Sequence, residues 1–203
     1  MSVLDKNTIK KYLDEKKIIF NPEIIQAQMQ PHSIDLRLGY EFMIPTTWEI
    51  SDKGREIIRV DIDKVNNNFE KIILKKGQYF EIAPEEFIIG TTLEKIELNS
   101  YDIMGVLYPR SSINRRGLTV DLTGVVDTGY HGKLFIPIKN TTASQVIRIY
   151  PEERFVQIVF ETLTQKITKN EAMKHGITKP KYQQEGDEIN FSYKPDKNLE
   201  HKT

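Results

Sequence analysis

The chain from about residue 41 to residue 163 is a succession of short apolar runs with strand-like alternation, and this feature limits the fold most strongly. Turn-forming or charged residues separate the runs, for example at residues 52–54, 75–77 and 128–129. Many short strands at regular spacing are typical of all-β barrels and jelly rolls. The sequence therefore predicts a mainly β protein.

A short helix is predicted on each side of this β region. Residues 5–16 carry apolar side chains at helical spacing behind Asp5, which is suited to cap the first turn. Near the other end, Thr168 and Glu171 have the spacing of a capping box, and Gly176 is a natural end for the helix.

The composition changes after residue 163, where the chain becomes charged and is interrupted by prolines. We interpret residues 1–163 as a single β domain with its N-terminal helix. Residues 164–203 are interpreted as a C-terminal helix and a tail that belong to the same domain. The end of this segment, read by itself, is typical of a flexible tail.

The composition excludes several classes of function. The chain has 29 basic and 29 acidic residues and no cysteine. Lack of cysteine excludes disulfides, cysteine nucleophiles and the zinc-deaminase pattern with its pair of cysteines. Zero net charge differs from the basic excess of most nucleic-acid-binding proteins, so we expect no nucleic-acid partner. The charged start lacks a secretory signal and no apolar run reaches membrane-spanning length, so we expect a cytoplasmic protein with no membrane partner.

The segment from residue 108 to residue 132 concentrates polar, cationic and flexible residues between apolar neighbours. Arg110 offers a forked donor suited to phosphate oxygens, and the hydroxyls of Ser111 and Ser112 add further donors. Arg115 follows five residues later, so its side chain could reach the same phosphate site. A phosphate site competes here with a solvated turn whose arginines coat the surface, and an isolated Arg-Ser-Ser motif favours the turn.

Asp127 opens a tight turn, Asp-Thr-Gly-Tyr, after an apolar run that Gly124 interrupts. A lone aspartate at a turn usually bonds its own backbone. The alternative is a general base at a strand end that faces a pocket, with Tyr130 beneath a sugar ring. The four histidines have no metal-binding spacing, and we interpret them as surface or turn residues.

Five segments, taken in order, resemble motifs of the dUTPase and dCTP deaminase superfamily. They are QPHSIDLRLG at 30–39, PRSSINRRG at 109–117, GVVDTGYHG at 124–132, ERFVQIVF at 153–160 and KPKYQQEG at 179–186. Each motif is weak alone, but five in the right order indicate this superfamily. The chain is most similar to an archaeal-type dCTP-deaminase-like dUTPase.

The resemblance implies a distorted jelly-roll fold of the dUTPase-like, or β-clip, type, and a homotrimer with active sites between subunits. It also implies Mg²⁺ held mainly by triphosphate oxygens, which agrees with the way this ion usually binds nucleotides. Residues 179–186 would close over the nucleotide.

The resemblance further implies a role for each matching residue. Asp127 would be the catalytic base, and Asp35 would act through water near the metal. The residues that would bind phosphate are Arg110, Ser111, Ser112, Arg115, Gln157, Lys181 and Gln184. The residues that would bind the nucleoside are Leu122, Thr123, Gly124, Val126, Tyr130 and Tyr182.

Pro137 distinguishes between the two reactions of the superfamily. By the resemblance, it stands where deaminases have the glutamate that moves protons, and no acid lies between residues 132 and 152. Because proline cannot move a proton, the sequence predicts a dUTP diphosphatase, in which water activated by Asp127 attacks the α-phosphate to give dUMP and pyrophosphate. One alternative is a dCTP deaminase, alone or combined with dUTP hydrolysis, in which Glu161 or Asp121 replaces the glutamate. The other is a non-catalytic, nucleotide-binding regulatory trimer.

Overall fold

The computed structural model describes residues 2–61, 68–121 and 124–172. Within these ranges the helices are α1 Lys6–Asp14, α2 Ser111–Asn114 and α3 Lys169–Ala172, with a single 3₁₀ turn at Gln26–Gln28. The strands are β1 Ile18–Asn21, β2 Ile34–Pro45, β3 Trp48–Ser51, β4 Gly54–Ile57, β5 Phe69–Ile73, β6 Phe80–Ile82, β7 Phe87–Leu98, β8 Ile103–Pro109, β9 Leu118–Val120, β10 Val125–Val126, β11 His131–Asn140, β12 Ile147–Ile149 and β13 Arg154–Thr162.

Most of the strands form one large curled sheet in the order β10-β8-β13-β2-β7-β11-β9, with β1 paired to β7 and β5 paired to β2. Two further pairs, β12 with β6 and β3 with β4, form separate two-stranded sheets. All the strand pairs are antiparallel. The prediction of a mainly β protein with short helices is confirmed.

The alternation in the sequence explains which face of the sheet is buried. Side chains from β2, β7 and β13 point into one core, and burying such a side chain contributes roughly 1.5–3 kcal/mol. The residues of these strands that are completely inaccessible to solvent include Ile34, Leu36, Leu38, Phe42, Ile96, Phe155, Ile158 and Phe160. On β2, Asp35 lies between two core residues and therefore points to the opposite face.

The two helices that were predicted from capping signals are present. The carboxylate of Asp5 accepts hydrogen bonds from the backbone N–H groups of Asn7 at 2.8 Å and Thr8 at 3.2 Å, and α1 begins at the next residue. Before α3, the carboxylate of Glu171 accepts from the backbone N–H of Thr168 at 2.6 Å and from its hydroxyl at 2.8 Å. Both caps satisfy backbone donors that the first helical turn leaves without partners.

A buried polar network ties the 3₁₀ turn and β2 to β7. Arg37 donates through Nε to Glu94 at 2.6 Å and through its backbone N–H at 2.9 Å. Gln28 donates to the same carboxylate at 2.9 Å and to the backbone carbonyl of Asp35 at 2.8 Å. Glu94 and Gln28 are inaccessible to solvent. The network therefore fixes the backbone from which Asp35 projects.

The apolar run at 118–126 is divided between two places in the sheet. β9 pairs with β11, whereas β10 pairs with β8, so the chain changes partners between residues 120 and 125. The carbonyl of Gly124 accepts a hydrogen bond from the backbone N–H of Leu107 at 3.2 Å. The interruption that Gly124 suggests is present, and it marks a change of strand partner.

Candidate active site

Arg110 occupies the junction between β8 and α2, where one strand ends and a helical turn begins. Its Nε lies 3.2 Å from Oδ2 of Asp35, and its terminal nitrogen donates to the backbone carbonyl of Arg154 at 2.8 Å. A quarter of its side chain is exposed (25%). The guanidinium is thus held from two sides and still reaches the surface.

Arg154, which was not among the predicted site residues, lies at the same carboxylate. Its terminal nitrogen is 3.2 Å from Oδ2 of Asp35 and donates to the backbone carbonyl of Ala27 at 2.7 Å. We call Asp35, Arg110 and Arg154 the guanidinium cluster. Arg154 belongs to the ERFVQIVF motif, three residues before Gln157. Its position in this motif was the sequence feature that could have marked it as a site residue. The contact between Arg154 and Asp35 depends on how β13 pairs with β2, which the sequence does not specify.

Asp35 carries the negative charge of the guanidinium cluster, and only 3% of its side chain is exposed. Burial raises the pKa of this carboxyl above its ordinary value, and the charges of Arg110 and Arg154 oppose that rise without cancelling it. With Asp35 ionised, two cations and one anion leave a net positive charge. The cluster therefore suits an anionic group of a ligand.

Gln157 lies beside the guanidinium cluster in the same sheet. It is the register partner of Asp35 on β2 and of Tyr108 on β8. The hydroxyl of Ser33 approaches its amide oxygen at 3.5 Å, at the limit of a hydrogen bond. The structure thus brings together Gln157, Arg110 and Asp35, which the sequence motifs contribute from three separate segments.

Ser111 and Ser112 begin α2 directly after Arg110, and Arg115 follows the end of this helix. Ser111 and Arg115 are exposed, and buried Ile113, with 3% exposure, anchors the turn to the core. The backbone N–H of Arg115 donates to the carbonyl of Ser111 at 3.0 Å. The hydroxyls are available to a ligand, as the phosphate-site prediction requires.

The Asp127 turn begins directly after β10 and is held mainly through its backbone. Tyr130 N–H donates to the Asp127 carbonyl at 3.1 Å, and Gly129 N–H donates to the Leu98 carbonyl at 2.9 Å. Gly129 has φ +79°, a left-handed conformation that favours glycine. The hydroxyl of Thr128 donates to the Ser100 carbonyl at 2.8 Å. The predicted tight turn is therefore present, docked onto the end of β7.

Tyr130 is partly buried against the core, and its hydroxyl donates to the backbone carbonyl of Lys133 at 2.6 Å. Val126, another predicted nucleoside contact, is 1% exposed and packs inward. In this chain Val126 therefore offers a ligand its backbone and not its side chain. Both residues fix the conformation of the segment around Asp127.

The guanidinium cluster and the Asp127 turn lie toward opposite ends of β8. Val126 is the register partner of Gly105, whereas Arg110 follows the other end of the strand. Five residues at about 3.3 Å each separate these positions by roughly 16 Å. Within one chain, Arg110 and the Asp127 turn therefore start from well-separated positions along β8.

Several predicted residues lie outside the described ranges, namely Leu122, Thr123, Lys181, Tyr182 and Gln184. Among residues 2–61, 68–121 and 124–172, no three His, Cys, Asp or Glu side chains are placed to hold a metal ion. No helix in this part of the chain is long and apolar enough to cross a membrane.

Fold and site together define a mainly β protein in which two arginines flank one nearly buried aspartate. A family model described as "dCTP deaminase-like" matches residues 3–163, so the chain belongs to the dCTP deaminase-like family. A Methanobrevibacter smithii protein named "dCTP deaminase, dUMP-forming" is 36% identical over 165 residues, covering 81% of this chain and 82% of that protein. A Methanosphaera stadtmanae protein of the same name is 37% identical over 171 residues, covering 81% of each chain.

A solved structure supports the fold. The dCTP deaminase of Agrobacterium tumefaciens matches with a TM-score of 0.58 at 22% identity, over 78% of this chain. The match spans 46% of that longer chain.

These relatives correct the prediction of a dUTP diphosphatase. Proteins 32–37% identical to this chain are named dUMP-forming dCTP deaminases, which agrees with the deaminase alternative. The prediction relied on Pro137 and on the dUTPase-like spacing between the Arg-Ser-Ser motif and Asp127. The deaminase alternative allowed Asp121 or Glu161 to replace the glutamate, and the structure brings the backbone of Asp121 beside Pro137.

Proposed function

We propose that the protein is a dUMP-forming dCTP deaminase, which converts dCTP and two waters to dUMP, ammonia and pyrophosphate. The observation that carries the proposal is the guanidinium cluster, an anion site in a member of a family whose close relatives bear this name. Deamination would give dUTP, and hydrolysis at the α-phosphate would then give dUMP.

The triphosphate would bind at the guanidinium cluster. Arg110 and Arg154 supply charged donors that Asp35 holds in place, and charged hydrogen bonds contribute about 1.5–3 kcal/mol each. Ser111 and Ser112 would add hydroxyl donors. Arg115 and Gln157 complete the phosphate set that the motifs predict, and Lys181 and Gln184 remain predictions for the tail.

Mg²⁺ would arrive with the triphosphate. The donor set fits this mode, because the described residues offer no three-ligand metal site and Mg²⁺ commonly uses substrate phosphates and waters. When bound, the ion would neutralise charge on the phosphates. Asp35 is engaged by two guanidinium groups, so we propose that it positions Arg110; its contact to the metal through water stays a prediction.

Asp127 would be the base for the hydrolysis step. It would take a proton from water as the water oxygen attacks the α-phosphorus and pyrophosphate leaves in line. The backbone around Gly124 and Val126 would read the base, with Leu122 and Thr123 as further predicted contacts. Tyr130 would lie under the sugar, and Tyr182 in the tail would add a contact to the nucleoside.

The site would form between subunits of a homotrimer. The separation of roughly 16 Å along β8 supports an intersubunit site, because within one chain the guanidinium cluster lies away from Asp127. A second copy would supply the missing half.

The test is to incubate the protein with Mg²⁺ and either dCTP or dUTP, and to measure ammonia and pyrophosphate separately. We expect ammonia and pyrophosphate from dCTP, and pyrophosphate from dUTP. Absence of ammonia from dCTP would rule out the proposed deaminase. Binding of both nucleotides without any product would instead support a regulatory nucleotide-binding protein.

A further inference from the structure

Deamination needs a group that moves protons, and the outward face of β11 carries no acid. Water must add to C4 of cytosine, N3 must gain a proton, and the amino group must gain one to leave as ammonia. The outward-pointing residues of β11 are His131, Lys133, Phe135, Pro137 and Lys139. This inference rests on the proposed function, in which an acid near Pro137 would have to move these protons.

Three acids close to β11 are already paired with basic side chains. Glu85 lies 2.9 Å from Lys139, and Glu97 lies 3.3 Å from His131. Glu41 is held at 2.8 Å by both Lys71 and Lys133.

The state of Glu41 makes it a poor proton relay. Burial raises the pKa of Glu41, but hydrogen bonds from Lys133 and Lys71 outweigh burial and hold the pKa below its ordinary value. A relay must bind and release a proton in each cycle, which a carboxylate held between two ammonium groups does with difficulty.

Asp121 is the acid that the strand register places beside Pro137. β9 pairs with β11 through Val120 opposite Ile138, so the next position along brings Asp121 opposite Pro137. The backbone N–H of Asp121 donates to the carbonyl of Pro137 at 3.3 Å. Cross-strand neighbours of this kind have Cβ atoms about 4.5–5.5 Å apart.

The carboxylate of Asp121 faces outward and is available. Val120 and Ile138 are buried, at 3% and 0% exposure, so their neighbours Asp121 and Pro137 point to the other face of the sheet. Asp121 is exposed and forms no ion pair within residues 2–61, 68–121 and 124–172. It therefore differs from Glu41, Glu85 and Glu97, whose carboxylates are paired with basic side chains.

Glu161, the other acid that the sequence offered, lies in a different part of the sheet. It is on β13 opposite Met104 of β8. Strands β2 and β7 separate β13 from β11, which is three strand spacings or about 14 Å. The strand register thus places Asp121, and not Glu161, beside Pro137.

We propose that Asp121 is the proton relay for cytosine deamination in this protein. Its carboxylate takes a proton from the attacking water as the new O–C4 bond forms, and passes that proton to N3. It then takes the second proton from the C4 hydroxyl and gives it to the amino group. The C4–N bond breaks, ammonia leaves, and the base has become uracil without any change of oxidation state.

The test compares Asp121→Asn with Glu161→Gln, each against the unaltered protein. Both variants replace a surface-directed carboxylate by its amide. Ammonia release from dCTP and pyrophosphate release from dUTP are measured in parallel. We expect Asp121→Asn to lower ammonia release by about 10²–10⁴-fold, the usual range for removing a general acid or base. Its pyrophosphate release should stay near the unaltered rate, as should both activities of Glu161→Gln.

Two results would overturn the inference alone. Ammonia release at the unaltered rate in Asp121→Asn would place the relay elsewhere. An equal loss of both activities in Asp121→Asn would assign the residue to folding or substrate binding. Absence of ammonia from the unaltered protein is a separate outcome, because it would reject the proposed function from which the inference starts.

Discussion

The two ends of β8 are built in different ways. At one end, side chains define the site, since one nearly buried carboxylate on β2 holds guanidinium groups from β8 and β13. At the other end, backbone hydrogen bonds define the turn that follows β10, and Asp127 is the side chain with a proposed chemical role. We therefore expect substitutions of single arginines in the guanidinium cluster to weaken nucleotide binding by moderate amounts. Substitution of Asp127 should abolish most of the turnover.

The largest expected effect is at the turn. Asp127→Asn keeps the shape of the side chain but removes its basicity, so pyrophosphate release from dUTP should fall by about 10²–10⁴-fold. Binding of dUTP should remain, because the guanidinium cluster is unchanged. Rapid-quench turnover and equilibrium binding with a non-hydrolysable analogue measure the two quantities. Full turnover in this variant would remove Asp127 as the base.

Because Arg110 and Asp127 lie toward opposite ends of β8, mixed oligomers can test whether one active site takes these two residues from different subunits. Arg110→Ala and Asp127→Asn should each be inactive alone. If a site combines Arg110 of one subunit with Asp127 of another, coexpression should restore roughly a quarter of the unaltered activity by random assembly of a closed symmetric oligomer. Coexpressed chains that stay as inactive as the separate variants would show that one chain supplies both residues.

The same comparison shows what the sequence could predict. The Asp127 turn and the Asp5 cap depend on neighbouring residues, and both are present as predicted. The contact between Asp35 and Arg154 joins residues 119 positions apart, and it depends on the pairing of β2 with β13. Local alternation predicts strands but not their partners.

The same limit explains the error about the reaction. Pro137 and the spacing before Asp127 are local features, whereas the hydrogen bond between the backbones of Asp121 and Pro137 depends on the pairing of their strands. The division of residues 118–126 between two strand partners is likewise a long-range property. Local residue patterns predicted the elements, and tertiary pairing decides which side chains share a site.

A smaller, graded effect is expected within the guanidinium cluster. Arg110→Lys should raise the KM for dUTP by about 10-fold or more, because lysine cannot reproduce the forked donor and charged hydrogen bonds contribute 1.5–3 kcal/mol. Arg154→Lys should raise it by only a few-fold, since its side chain is 39% exposed, compared with 25% for Arg110.

The two arginines share one carboxylate, so their effects should not add. A double variant whose loss differs from the sum of the single losses would demonstrate coupling through Asp35. Simple additivity in steady-state KM and equilibrium binding would show that the two arginines act independently. Arg110→Lys and Arg154→Lys should each leave kcat for dUTP hydrolysis largely unchanged, because neither substitution alters Asp127.

The smallest expected effect concerns Asp35 and the pH dependence of stability. Because burial raises the pKa of its folded-state carboxyl above 3.8, the folded protein binds a proton at this site more readily than the unfolded chain does. The stabilisation that this group contributes is thus fully present below its unfolded pKa and is lost as pH rises through the folded pKa. Asp35→Asn cannot titrate, so the free energy of unfolding of the unaltered protein minus that of the variant should decrease between about pH 3 and pH 7. Denaturant unfolding across this range measures the difference. An increase with pH would mean that Arg110 and Arg154 outweigh burial, and that the cluster gains its stability from ion pairing when Asp35 is charged.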